Sequence, residues 1–63
     1  MTPAKMTAHV RESLLLVCEK DWPDAEKCAY AAECLVTVGV ERQEAYRAAQ
    51  EVWNKHFRTW EAN

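Results

Sequence analysis

The chain has 63 residues, 49% apolar and 29% charged, with 10 acidic against 8 basic side chains and a formal charge of −2. That mix excludes an intrinsically disordered chain, and it lacks the basic excess that would point to nucleic acid or an anionic membrane. With 1 glycine and 2 prolines there is no room for glycine-rich phosphate loops, flexible linkers or collagen-like repeats.

The longest strictly apolar run, Leu14 to Cys18, falls far short of the roughly 20 residues a membrane span needs. Met1 to Val10 has no apolar core followed by a small-residue cleavage site, so a cytoplasmic chain is expected. Cys18, Cys28 and Cys34 are odd in number and cannot all pair within one chain. They are expected as reduced thiols acting as small buried apolar groups. One domain is expected over residues 1–63. A core of this size supplies on the order of 3–5 kcal/mol, so dimerisation or partner binding is a natural source of further burial.

The first helix is predicted over about residues 3–20. Thr2 can cap it with its hydroxyl, and Pro3 suits the first helical position because it has no N–H to leave unsatisfied. Met6, Val10, Leu14 and Val17 recur at helical spacing, with Cys18 beside them. Pro23 disfavours the α conformation at Trp22 and sets a boundary there.

The second helix is predicted over about residues 23–38, with Asp21 and Asp24 near its positive N-terminal end. Its main apolar face is Ala25, Cys28, Ala29, Ala32, Leu35 and Val36, and a smaller one is Ala31, Cys34 and Val38. Apolar residues on two sides suit a middle element. Gly39 then supplies a left-handed stop.

The third helix is predicted over about residues 41–61. Projected at roughly 100° per residue, Ala45, Tyr46, Ala49, Val52, Trp53, His56, Phe57 and Trp60 share one sector, into which only Arg42 intrudes. No alternating run or hairpin turn signals a strand. The expected fold is all-α: a compact three-helix domain with short connections and helix two as the middle layer.

Chemistry-bearing patterns are sparse. No Cys-x-x-Cys, His-x-x-x-His or His-Glu-x-x-His occurs, so no metal and no cofactor is expected. No spacing pairs a thiol with a histidine for nucleophilic catalysis, and so small a domain has little room for a water-excluding pocket. The expected protein is not an enzyme. His56 is expected as a core histidine bonded to a backbone carbonyl or a carboxylate.

Two sets of apolar residues suggest contact with another protein. Leu15 and Leu16 fall outside the stripe of helix one. Tyr46, Trp53, Phe57 and Trp60 form an aromatic edge on helix three, and aromatics of this kind are enriched among binding hot spots. These six residues are the candidate partner or homodimer interface, beside an acidic strip containing Glu26 and Glu33.

The segment from Ala31 to Trp53, with Leu35 before Gly39-Val40 and small Ala45 and Ala48 after it, resembles a helix-turn-helix. That resemblance implies a small dimeric DNA-binding regulator reading with Arg42, Gln43 and Arg47. Leu35 stands where the pattern usually has alanine, and two glutamates, Glu41 and Glu44, open the would-be reading helix. The same texture is similar to helical hairpins of ubiquitin-associated type. In size and texture the whole chain resembles the short accessory proteins of phages and mobile elements, among them the anti-CRISPR proteins. This last resemblance implies a non-enzymatic inhibitor that sterically blocks a larger host complex. Its acidic strip would compete with nucleic acid for a basic groove.

Overall fold

Thr2 and Pro3 begin the first helix, α1 (Pro3–Val17), as their chemistry requires. The Thr2 hydroxyl accepts the Lys5 backbone N–H at 3.2 Å, and Pro3 stands in the first turn. The structure, a computed structural model, describes residues 1–57. Helix α1 stops at Val17, short of the expected Lys20, where the Lys20 N–H closes a turn on the Val17 carbonyl at 3.0 Å. The connection accordingly runs over residues 18–23, longer than expected.

Pro23 is the N-cap of α2 (Asp24–Thr37), and its carbonyl accepts the Glu26 and Lys27 N–H groups at 3.0 and 3.2 Å. Asp24 and Glu26 place carboxylates in the first turn, where the helix dipole favours them. The far end closes as a Schellman motif. The Val40 N–H reaches the Leu35 carbonyl and the Gly39 N–H the Val36 carbonyl, each at 3.0 Å.

Gly39 adopts φ 102°, which an L side chain rarely enters. A Cβ there would meet nothing within 4 Å, so the cost of substitution is conformational and not a clash. Gly39→Ala is expected to lower stability by about 1–2 kcal/mol, read as a lower urea midpoint with an unchanged slope.

Glu41 stands outside α3 (Arg42–Val52) as its N-cap. Its carboxylate accepts the Gln43 N–H at 2.9 Å and the Glu44 N–H at 3.3 Å. From Trp53 to Phe57 the chain continues as a π-helical segment. The expected end of this helix, near residue 61, lies outside the described residues.

Helix α2 is the middle element, packing on both α1 and α3, while α1 and α3 touch less extensively. The core joins Met6, Val10, Leu14 and Val17 of α1 to Cys28, Ala31, Ala32 and Leu35 of α2. Ala45, Ala49, Val52 and Trp53 complete it from the third helix. The burial of α2 centres between its two predicted faces. Ala31 is fully buried, whereas Ala25 and Val38, on opposite flanks, are exposed. Among the described residues no helix is long and apolar enough to cross a membrane.

Candidate functional site

The aromatic edge of the third helix divides between core and surface. Trp53 is only 4% exposed and belongs to the core, which corrects its assignment to an exposed interface. Its indole is clamped: the Phe57 ring stacks at 5.3 Å between centroids and 4° between planes, and the Lys27 ammonium lies 5.3 Å from the ring centroid. The physical reason for its burial is size. The core carries Ala31, Ala32, Ala45 and Ala49 from α2 and α3, small side chains that leave room for a large one. Phe57 is half-buried against the same cluster. Tyr46 remains exposed, and Trp60 lies outside the described residues.

His56 is exposed and not a core histidine. A π-helix closes its hydrogen bonds from i to i+5 and so takes an extra residue into each turn. The α-helical projection that placed His56 with Ala45 and Ala49 therefore stops applying at Trp53.

Tyr46 lies in a shallow depression of about 510 Å³ along the outer side of α3, lined also by Arg42, Gln43, Arg47 and Gln50. Among the described residues no carboxylate lines it. A second cleft, about 360 Å³, opens between the start of α2 and the end of α3 and is lined by Asp24, Ala25, Cys28, Tyr46, Gln50, Trp53 and Asn54. Tyr46 and Gln50 belong to both and join the two into one surface.

The three residues proposed for reading DNA do come together there, but Arg42 is engaged. Its guanidinium forms an ion pair with Glu33 of α2. That pair also withdraws Glu33 from the acidic strip, leaving Glu26 exposed further along α2. Arg47 makes no ion pair among the described residues. Leu15 and Leu16 lie on the outside of α1, 62% and 69% exposed, and line none of these hollows.

The sequence reading missed two polar features. Lys27 is 8% exposed and donates to the Cys18 carbonyl at 2.9 Å, so it joins the end of α1 to the indole of Trp53. Its position one turn before Ala31, on the apolar side of α2, was the available signal. Trp22 meets Tyr30 edge-on at 6.2 Å with the Lys20 ammonium 5.9 Å from its ring centroid, a small cluster over the α1–α2 connection.

The thiols differ from one another. Cys28 is buried, while Cys18 and Cys34 are half-buried, and all three are free. Burial, reinforced by the Asp24 carboxylate, pushes the Cys28 thiol above its ordinary range and keeps it protonated at neutral pH. Among the described residues no three His, Cys, Asp or Glu side chains converge as a metal set. Comparisons of the chain with protein-family models, with curated proteins and with solved structures returned no match.

Proposed function

We propose that this chain is a non-enzymatic protein-binding module whose contact surface is the outer side of α3. The observation that supports this reading is the Tyr46 depression. An exposed tyrosine sits among Arg42, Gln43, Arg47 and Gln50 on a rigid helix, while the neighbouring Trp53 is used by the core. Tyrosine and arginine are over-represented among the residues that dominate binding energy, and a helix face presents them at little ordering cost. The resemblance in size and texture to small phage inhibitors, anti-CRISPR proteins among them, extends this reading to steric blockade of a larger host complex.

The competing reading puts duplex DNA on the same strip. It draws on the lack of a carboxylate among the described residues of the lining and on the base-reading chemistry of arginine and glutamine. Three features weigh against it. Arg42 is already paired with Glu33. In a helix-turn-helix the first helix of the pair crosses the phosphate backbone, and α2 carries Asp24, Glu26 and Glu33. The formal charge of −2 supplies no attraction for phosphates.

The test compares the tagged wild-type chain with Tyr46→Ala in affinity capture from host-cell extract, with far-UV circular dichroism as the folding control. A protein captured by the wild type is expected to be retained at least about tenfold less by Tyr46→Ala at equal helicity. Equal retention would remove α3 as the contact surface. Duplex DNA binding that weakens steeply between 50 and 200 mM salt would replace this reading with the regulator.

A further inference from the structure

The α1–α2 connection carries a second exposed aromatic surface. Trp22 and Tyr30 keep 37% and 36% of their surface in solvent, although their rings meet edge-on at 6.2 Å. Neither residue lines the hollows around Tyr46, so this surface is separate from the α3 strip.

Two observations indicate what it takes. The first is the position of Lys20. Its ammonium lies 5.9 Å from the centroid of the Trp22 ring and pairs with neither Glu19 nor Asp21, its neighbours in sequence. The face of an indole is electron-rich and attracts cations at this range. Here it already holds one from within the chain. The second observation is charge. Glu19, Asp21 and Glu26 are all exposed, and among the described residues none of the three carboxylates has an ion pair or a side-chain hydrogen bond. Lys20 is the one exposed cation between Glu19 and Glu26, and Lys27, the next along, is buried.

The chemistry of the cation follows from this pairing. Glu26 and Tyr30 are four apart on α2 and share a side of it, so an aromatic ring and an unpaired carboxylate stand together. A guanidinium suits both at once, because its plane stacks on a ring while its N–H edge donates to a carboxylate. A quaternary ammonium has no N–H to donate. Phosphate-bearing partners are repelled by the three free carboxylates. We infer that the Trp22–Tyr30 surface docks an arginine-bearing basic segment of another protein, a guanidinium replacing Lys20 against the aromatic pair and donating to Glu26. Lys20 is the internal occupant that this segment displaces. The docking stands or falls independently of α3, since Tyr46 and Arg47 take no part in it.

The experiment titrates the isotope-labelled full chain with a capped hexa-arginine peptide and, separately, with hexa-lysine. Salt is held at about 150 mM, where charges more than about 8 Å apart are largely screened. The reporter is the Trp22 indole N–H resonance, assigned by its loss in Trp22→Phe. It is expected to shift saturably with hexa-arginine, and hexa-lysine is expected to bind at least about fivefold more weakly. Glu26→Gln and Tyr30→Ala should each weaken hexa-arginine binding by about three- to tenfold at unchanged helicity. Lys20→Met frees the ring and is expected to strengthen binding, by more than Lys5→Met, which makes the same charge change at the far end of α1. Absence of a saturable shift would overturn the inference. So would equal affinity for hexa-lysine, indifference to Glu26→Gln and Tyr30→Ala, or a Lys20→Met effect no larger than that of Lys5→Met, each of which leaves only diffuse charge attraction. A Trp22 resonance that moves with the chain's own concentration, without peptide, would give the surface to a second copy instead.

Discussion

Trp53→Ala is expected to leave the chain largely unfolded at 25 °C. The indole is 4% exposed, stacked on Phe57 and covered by the Lys27 ammonium, so truncation removes the largest side chain of the core and opens a cavity beneath both neighbours. Large-to-small changes of this kind cost about 3–5 kcal/mol. The core of a domain this size supplies only about as much. The two figures nearly cancel, so the folded population falls from dominant to minor.

Trp53→Phe is the informative companion. It keeps an aromatic ring against Phe57 and removes the indole N–H, which is buried and has no hydrogen-bond partner among the described residues. Leaving such a donor unsatisfied costs about 1–3 kcal/mol, which offsets part of the packing lost with the smaller ring. The phenylalanine variant is therefore expected to fold, within about 1–2 kcal/mol of the wild type. Far-UV circular dichroism with urea titration decides both. Wild-type helicity and midpoint in Trp53→Ala would mean that the indole is dispensable to the core. Tyr46→Ala, by contrast, should lower the midpoint far less, because Tyr46 keeps 37% of its surface exposed against 4% for Trp53.

The second large effect is expected at Lys27. Its stem is buried in the α2 interface, its ammonium donates to the Cys18 carbonyl at 2.9 Å, and it covers the Trp53 ring. Charge-assisted bonds of this kind contribute about 1.5–3 kcal/mol, and a desolvated cation–π contact about 2. These terms overlap on one ammonium group and do not add. Lys27→Ala, which also loses the stem, is expected to cost about 2–3 kcal/mol. Lys27→Met keeps an unbranched apolar stem and loses only the charge, so about half that cost is expected. Urea midpoints of the two variants separate packing from charge. If both variants match the wild type, Lys27 does not join α1 to the indole.

Both effects sit where three elements meet, which is also where reading the sequence was least complete. The helices themselves were legible because their signals are local. Thr2-Pro3 starts α1 through its own hydroxyl and ring, Trp22-Pro23 breaks the chain through sterics, and Gly39 stops α2 by tolerating φ 102°. The inward stripe Met6, Val10, Leu14 and Val17 was legible for the same reason, since periodicity along one helix needs no knowledge of its neighbours. The exposure of Leu15 and Leu16 followed as the complement of that stripe.

What the sequence by itself determined is therefore the number of helices, their approximate starts, the inner side of α1 and the two leucines left outside. The tertiary structure alone decided which aromatics are core. Trp53 and Tyr46 share one sector of a projected helix, and only the position of α2 makes one buried and the other exposed. The structure also decided the fate of His56, because the π geometry of Trp53–Phe57 departs from the projected register and leaves that side chain exposed. It decided that Arg42 is spent on Glu33 and Lys27 on Cys18, pairs nine residues apart in sequence that meet across separate elements. Local propensity is a property of a segment and can be read along the chain. Burial and pairing are properties of the space between segments, and they exist only once the helices are packed.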